Sequence, residues 1–248
     1  MTLPNATPQR LYLMQLSAAT VPIAPGYNLA MVNVCYLVEM SDGTYILIDS
    51  GLPPADELPP GLPLSPGEDA KTVIEQLADL GLRPDDIDIV ICTHFDLDHA
   101  GYHDAFPQAE FVVQRDHYEQ AAGGFPRYAP VRGHWDHPAL RYTLIDGDTE
   151  LRPGVTLLAT PGHALGHQSV MVRLPQTGPV LLAIDAVILG RLFTPDRQAG
   201  PTDDNEEQLR ASTQKLLDLA ASEHAALVVF GHDGEQWRTL TKAPAFYA

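Results

Sequence analysis

Four side chains that can bind a metal ion lie within six consecutive positions of this sequence. They are His94, Asp96, Asp98 and His99, and they follow the apolar run 87–92, which predicts a buried strand. A turn after a strand can direct all four toward one point. Imidazole suits zinc, iron and similar ions, and carboxylates add charge, so the mixture favours a transition-metal site over a calcium loop. The alternative is a solvated acidic loop.

Three later segments make the metal site the stronger interpretation. His163, Asp185 and His232 each come directly after a predicted strand, at a turn that contains or adjoins glycine or alanine. If two sheets pack so that these strand ends converge, there are enough ligands for two ions. The candidate ligands are then His94, Asp96, Asp98, His99, His163, Asp185 and His232.

The rest of the chain alternates β-rich runs with two amphipathic ones, at 73–80 and 206–221, which predict helices. Segment 52–66 is rich in proline and predicts a long loop, and segment 122–140 predicts a loop that covers a pocket. This order predicts an α+β protein with two packed sheets flanked by helices, in one domain spanning 1–248. The predicted strands are 11–16, 31–38, 45–48, 87–92, 111–113, 140–145, 155–159, 169–174, 179–184 and 226–230.

Charge and hydropathy argue against several classes of partner. The chain has 15 Lys and Arg against 32 Asp and Glu, a net charge of −17, which repels nucleic acids and anionic membranes. No stretch approaches the roughly 20 apolar residues of a membrane span, and the first 15 residues lack the pattern of a secretion signal. We therefore expect a cytoplasmic protein that binds a small-molecule substrate but neither nucleic acid nor membrane.

The ligand pattern resembles that of the metallo-β-lactamase superfamily, most closely its N-acyl homoserine lactonase branch. The family motif His-x-His-x-Asp-His is matched at 94–99 by His-x-Asp-x-Asp-His, so Asp96 is the one departure. The match includes the Asp-Ser-Gly turn at 49–51 and the Thr-Pro-Gly-His-x-x-Gly-His-Gln-Ser segment at 160–169. Order and spacing agree over about residues 31–233.

The resemblance implies a four-layer αβ/βα sandwich with a two-metal site at one edge of the paired sheets. Asp185 would bridge the metals, and Asp49 and His167 would orient ligands through hydrogen bonds. Related proteins are often dimers, so a homodimer remains open. The resemblance assigns His94, Asp96 and His163 to the first metal, and Asp98, His99 and His232 to the second.

Asp96 stands where the family usually has histidine, and its carboxylate changes the charge of the cluster. Two divalent ions carry four positive charges, and a bridging hydroxide, Asp98 and Asp185 remove three, so Asp96 removes the last. A neutral cluster acidifies its water less than a cationic one but binds hard ions better. We therefore expect two divalent ions, zinc or, at the first site, preferably manganese or iron.

A second departure lies three positions after Asp185, where such lactonases often have a tyrosine that meets the substrate carbonyl. This chain has Ile188, so a hydrogen-bond donor near the developing oxyanion is missing from that position. Tyr128 and His134 are the candidate replacements.

The resemblance predicts an enzyme that hydrolyses a lactone, such as an N-acyl homoserine lactone, or a related ester. The metals would lower the pKa of a bridging water, and Asp98 would accept its proton and return it to the leaving oxygen. The alternatives are a hydrolase of thioesters, phosphotriesters or β-lactams and a binding module without catalysis. A di-iron oxidoreductase is a further alternative, because some di-iron members also have a carboxylate at the position of Asp96.

Overall fold

The computed structural model describes residues 6–24, 26–58 and 70–248. Within them, the first of two mixed sheets has the strand order β1-β2-β3-β4-β5-β6. The first three strands are antiparallel, and β3 to β6 run parallel. The strands are β1 (Pro8–Ala24), β2 (Tyr27–Met40), β3 (Tyr45–Ile48), β4 (Ile89–Ile91), β5 (Glu110–Gln114) and β6 (Arg141–Ile145).

The second sheet has the order β11-β10-β9-β8-β7, in which β10 and β11 are parallel and the other pairs antiparallel. Its strands are β7 (Thr149–Arg152), β8 (Val155–Ala159), β9 (Gln168–Leu174), β10 (Gly178–Ile184) and β11 (Leu227–Phe230). The α-helices are α1 (Val73–Asp79), α2 (Arg115–Ala122), α3 (Arg132–Trp135), α4 (Glu206–Ser222) and α5 (Gly234–Trp237).

Alternate side chains along each strand point to opposite faces of the sheet, and both faces are buried against a neighbouring layer. Ile46 and Ile48 of β3 point into the core between the sheets, where they join residues of the second sheet such as Val170. Leu47, between them, packs in a separate cluster with Leu77 of α1. A third cluster joins the outer face of the second sheet to α4. The predicted four-layer sandwich is confirmed.

The directions of the strands explain why the candidate ligands converge. The parallel strands β3 and β4 end at the same edge of the first sheet. In the second sheet β8, β10 and β11 all run in one direction, because β9 is antiparallel to both β8 and β10. The turns after these five strands therefore form one rim along the paired sheets.

The predicted elements correspond to observed ones, with some corrections. Segment 122–140 is not an irregular loop: it contains a short helical turn at 126–131, which begins with a proline, and then α3. Strand β7 and helices α2 and α5 were not predicted. The proline-rich loop predicted at 52–66 lies outside the described residues from position 59 onward. Among the helices of the described residues, none is both long enough and apolar enough to span a bilayer.

Candidate metal centre

Two groups of three side chains meet at this rim, each with ligand atoms within 4.8 Å of one another. Asp185 lies between the groups, since its Oδ2 is 3.4 Å from His163 Nε2 and its Oδ1 is 3.1 Å from His232 Nε2. The first group is His94, His163 and Asp185, and the second is Asp98, His99 and His232. The strand ends thus bring together side chains that lie up to 138 positions apart in the chain, from His94 to His232.

Asp96, the departure from the family motif, lies beside the first group. Its Oδ2 is 3.4 Å from His94 Nε2 and 3.2 Å from His163 Nε2. At these distances the Asp96 oxygen and the two imidazole nitrogens are neighbours that surround one point. The seven residues singled out in the sequence therefore occupy one location.

Each of the four histidines has its Nδ1 beside an acceptor outside the cluster, which leaves its Nε2 facing inward. His99 Nδ1 lies 2.8 Å from Asp49 Oδ2, and His232 Nδ1 lies 2.8 Å from the carbonyl oxygen of Val32. A carbonyl or a carboxylate oxygen only accepts, so Nδ1 carries the proton. The remaining two contacts are His163 Nδ1 to Asp203 Oδ1 at 2.9 Å and His94 Nδ1 to Thr93 Oγ1 at 3.0 Å.

Asp49 organises the first sheet's side of the site through three contacts. Its carboxylate accepts from the Thr93 backbone N–H at 2.9 Å and from the Thr93 hydroxyl at 2.7 Å, besides its contact with His99. Because the Thr93 hydroxyl donates to Asp49, it accepts from His94. Asp49 has a φ of 60°, a conformation that is uncommon for a residue other than glycine and often marks a functional site.

His167 supports the second sheet's side. Its Nε2 accepts the backbone N–H of Asp185 at 3.2 Å, and its Nδ1 lies 2.9 Å from Thr160 Oγ1. Ile184, which precedes Asp185, has a φ of 51°, a strained conformation for a β-branched residue. The role of His167 in orienting ligands stays a prediction.

The cluster contains buried polar atoms that have no partner. Within the part of the chain that the structure describes, His94 Nε2 and His99 Nε2 make no hydrogen bond. Asp185 Oδ1 makes none either, because His232 Nε2 bonds to the other oxygen, Oδ2, at 3.1 Å. A buried polar atom without a partner costs about 1–3 kcal/mol. Imidazole nitrogens and carboxylate oxygens that face one another in this way fit a divalent cation. Divalent metal binding therefore follows from the donor set.

The charges of the cluster shift the pKa of its members strongly. Burial lowers the pKa of His99, but the carboxylates of Asp185, Asp98 and Asp49 outweigh burial and raise the pKa to about 10. Burial likewise opposes the carboxylates around His163 and His232, yet the pKa of each is raised to about 9. The carboxylates of the cluster thus favour positive charge at this site even without a bound ion.

Arg127 is a cation that the sequence analysis did not single out. Its Nε donates to Asp96 Oδ1 at 2.6 Å, and its Nη2 donates to Asp96 Oδ2 at 2.5 Å. Both side chains are largely buried, with 18% and 17% of their surface exposed. This paired geometry is the strongest form of the arginine–carboxylate contact, and it returns one positive charge to the cluster.

A cavity of about 560 Å³ opens onto the cluster. Its polar lining includes Asp96, Asp98 and Asp185, together with Arg127, His163 and His232. The size and composition of the cavity suit a small molecule with an apolar part. The predicted replacements for the missing tyrosine do not line it: Tyr128 is buried, and His134 is paired with Asp104 and Glu57. The apolar wall includes Val21, Met31, Val32, Leu97, Phe125 and Ile188.

His117, which was not counted as a ligand, joins two of the turns. Its Nδ1 donates to the Leu165 carbonyl at 2.7 Å, and its Nε2 accepts from the Phe95 N–H at 2.8 Å. Gln168 makes a second link, from its Nε2 to the Cys92 carbonyl at 2.8 Å. These contacts hold the turn after β4 against the turn after β8.

The sequence comparisons agree with this geometry. The family model described as "Metallo-beta-lactamase superfamily" matches residues 30–232. The N-acyl homoserine lactonase AiiA of Bacillus thuringiensis subsp. kurstaki is 32% identical over 245 residues, or 94% of each chain. The N-acyl homoserine lactonase AttM of Rhizobium radiobacter is 37% identical over 188 residues, which is 71% of this chain and 69% of that one.

Solved structures resemble the chain over nearly its whole length. A quorum-quenching N-acyl homoserine lactone lactonase has a TM-score of 0.84 at 31% identity, covering 97% of this chain and 99% of that one. An N-acyl homoserine lactone hydrolase with the product N-hexanoyl-L-homoserine at its catalytic metal centre also has a TM-score of 0.84, at 30% identity. That match covers 97% of this chain and 100% of the other.

Proposed function

Because this chain belongs to the metallo-β-lactamase superfamily, we propose that it is a metal-dependent hydrolase that opens lactones, N-acyl homoserine lactones in particular. The observation that carries the proposal is the position of the two ligand groups, which lie at the polar end of a cavity with an apolar wall. A lactone ring reaches the ligands while an acyl chain lies against that wall. The alignment with the lactonase AiiA covers 94% of each chain, which supports lactone hydrolysis by this protein too.

Two divalent ions fit the two groups. His94, Asp96 and His163 would hold the first, Asp98, His99 and His232 the second, and Asp185 would lie between them. When bound, such ions supply a hydroxide near neutral pH and polarise the substrate carbonyl. Carboxylate oxygens suit hard ions, so Asp96 favours manganese or iron over zinc in the first position.

The protein's own groups provide orientation and proton transfer. Asp49, Thr93, Asp203 and the Val32 carbonyl keep each imidazole in the tautomer that directs Nε2 inward. Asp98 lines the cavity and keeps 20% of its side-chain surface exposed, so its carboxylate can accept a proton and return it to the leaving oxygen. Asp98 is the catalytic residue of this proposal.

Hydrolysis rates for a panel of substrates test the proposal. The panel contains N-acyl homoserine lactones of several chain lengths, a thioester, a phosphotriester and a β-lactam, and Asp98→Asn is assayed beside the wild type. We expect the lactones to have the highest kcat/KM, with a preference for acyl chains that fill the apolar wall. Faster hydrolysis of the thioester or phosphotriester, or oxygen chemistry with bound iron, would reassign the substrate or the reaction class.

A further inference from the structure

The environment of Arg127 differs from that of an ordinary ion pair, because four of its five N–H groups donate to oxygen atoms and the fifth faces His163 Nε2. Besides the two contacts with Asp96, Nη1 donates to the His163 carbonyl and to Asp204 Oδ1, each at 2.9 Å. The remaining Nη2 hydrogen lies toward His163 Nε2, at 2.8 Å. A guanidinium has five donors, so this side chain is fully engaged and well fixed.

Two of the atoms in contact with the guanidinium would also bind the first metal. Nη2 contacts both Asp96 Oδ2 and His163 Nε2, which lie 3.2 Å from each other. An ion that contacts both of these atoms would have to lie where Nη2 now lies, 2.5 Å from Asp96 Oδ2 and 2.8 Å from His163 Nε2. The guanidinium and an ion therefore cannot occupy this position together.

The second ligand group has no such competitor. Across residues 6–24, 26–58 and 70–248, no lysine or arginine nitrogen lies within 4.0 Å of the carboxylates of Asp98 or Asp185. His99 Nε2 has no hydrogen-bond partner there either. The two halves of the cluster therefore differ: one contains a cation of the chain itself, and the other is free to bind an ion.

We propose that Arg127 competes with the first metal, so that the second ligand group binds its ion tightly and the first binds only when the guanidinium is displaced. The inference rests on the proposed metal centre but not on the identity of the substrate. It also assigns a reason for Asp96: a carboxylate at this position holds the arginine, which a histidine could not do with two parallel hydrogen bonds. Arg127 thereby determines how many ions the protein holds at a given metal concentration.

Calorimetric titration of the chelator-treated protein with Mn²⁺ alone measures the affinities of the first and second equivalents of metal. We expect the wild type to bind one equivalent tightly and a second at least about tenfold more weakly, because the competent state of the first group is a minor one. In Arg127→Met the second equivalent should tighten by about tenfold or more. Arg132→Met is the matched control, since Arg132 pairs with Asp136 and is half exposed; its titration should match the wild type.

Several outcomes would overturn the inference. Two equivalents of equal affinity in the wild type would do so without any variant. Loss of an equivalent in Arg127→Met would show instead that Arg127 positions Asp96 for the metal. If Arg127→Met does not fold, Arg127→Gln, which keeps two N–H donors without the charge, should show the same tightening. Absence of any Mn²⁺ binding would overturn the metal centre as well, whereas unequal binding without lactone hydrolysis would overturn only the proposed substrate.

Discussion

The guanidinium of Arg127 binds both carboxylate oxygens of Asp96, at 2.6 and 2.5 Å. The Asp96 carboxylate alone would make a cluster with two divalent ions neutral. Arg127 restores one positive charge to the cluster while it stays in place. The carboxylate and the arginine act as a pair, and a change in either one alters the other's role.

Asp98→Asn tests the proposed proton transfer. The amide keeps an oxygen toward the cluster but cannot accept a proton, so kcat on an N-acyl homoserine lactone should fall by about 10²–10⁴-fold. Metal content, measured in parallel, should change much less. The exposed Glu207→Gln serves as the control. Equal rates for Asp98→Asn and wild type would remove Asp98 from this role.

Asp203→Ala tests the orientation of His163. Asp203 lies 2.9 Å from His163 Nδ1, and loss of such a partner typically costs about 10–100-fold in metal affinity or activity. Asp203→Asn keeps an acceptor oxygen and should recover part of the loss. Asp116→Asn, at an exposed position of α2, should have no effect. Unchanged Mn²⁺ affinity in Asp203→Ala contradicts the assigned function of this contact.

Gly231→Ala tests how closely the turn after β11 approaches the Asp185 carboxylate. A Cβ at position 231 would lie 2.6 Å from the Ile184 carbonyl oxygen and 2.7 Å from Asp185 Oδ1. Since the backbone cannot move far, we expect a loss of about 1–3 kcal/mol in the free energy of unfolding and reduced activity. In Gly133→Ala the added Cβ meets nothing within 4 Å, so stability should be kept or increased. A wild-type Tm and kcat/KM for Gly231→Ala would contradict this packing argument.

The metal-depleted protein should become less stable as the pH rises above neutrality. The folded-state pKa of His99 is raised from 6.5 to about 10, and that of His163 and of His232 to about 9. A raised pKa gives stability that is complete below pH 6.5 and is lost as the pH rises through the folded value. Histidines with a lowered pKa are almost entirely neutral in both states above about pH 7.5 and do not contribute there; they are His94, His103, His117 and His167.

Denaturant unfolding of chelated protein between about pH 7.5 and about 10 measures this effect. The free energy of unfolding should fall across the window. In Asp203→Asn the fall should be smaller, because a hydrogen bond to Asp203 is a main cause of the raised pKa of His163. A flat or rising curve in the wild type is the contradictory result.

The strand ends of this fold could be predicted from sequence because the strands are continuous apolar runs. Residues 89–92 and 180–184 are buried on both faces of their sheets, so they contain no charged residue before the ligand-bearing turn. The parallel order of the strands then places those turns at one rim. Strand β7 was not predicted because none of its four residues is fully buried and two of them, Glu150 and Arg152, are charged.

The partners of the ligands could not be predicted in the same way. Arg127 is one of two arginines in segment 122–140, which has little periodicity, and its pairing with Asp96 depends on how that segment folds across the rim. Asp203 lies 40 positions after His163 in a loop with no motif. The Val32 carbonyl that fixes His232 is a backbone atom and has no sequence signal at all. Such contacts are set by tertiary packing, which spacing in the sequence does not report.

The rate of N-acyl homoserine lactone hydrolysis by one preparation, before chelation, after chelation and after return of Mn²⁺, measures whether the reaction depends on bound metal. The ligand groups around Asp185 predict that the rate falls to background when ions are removed and returns when Mn²⁺ is restored. A chelated protein that is shown by metal analysis to hold no ion, and that still opens the lactone at its full rate, would contradict the account.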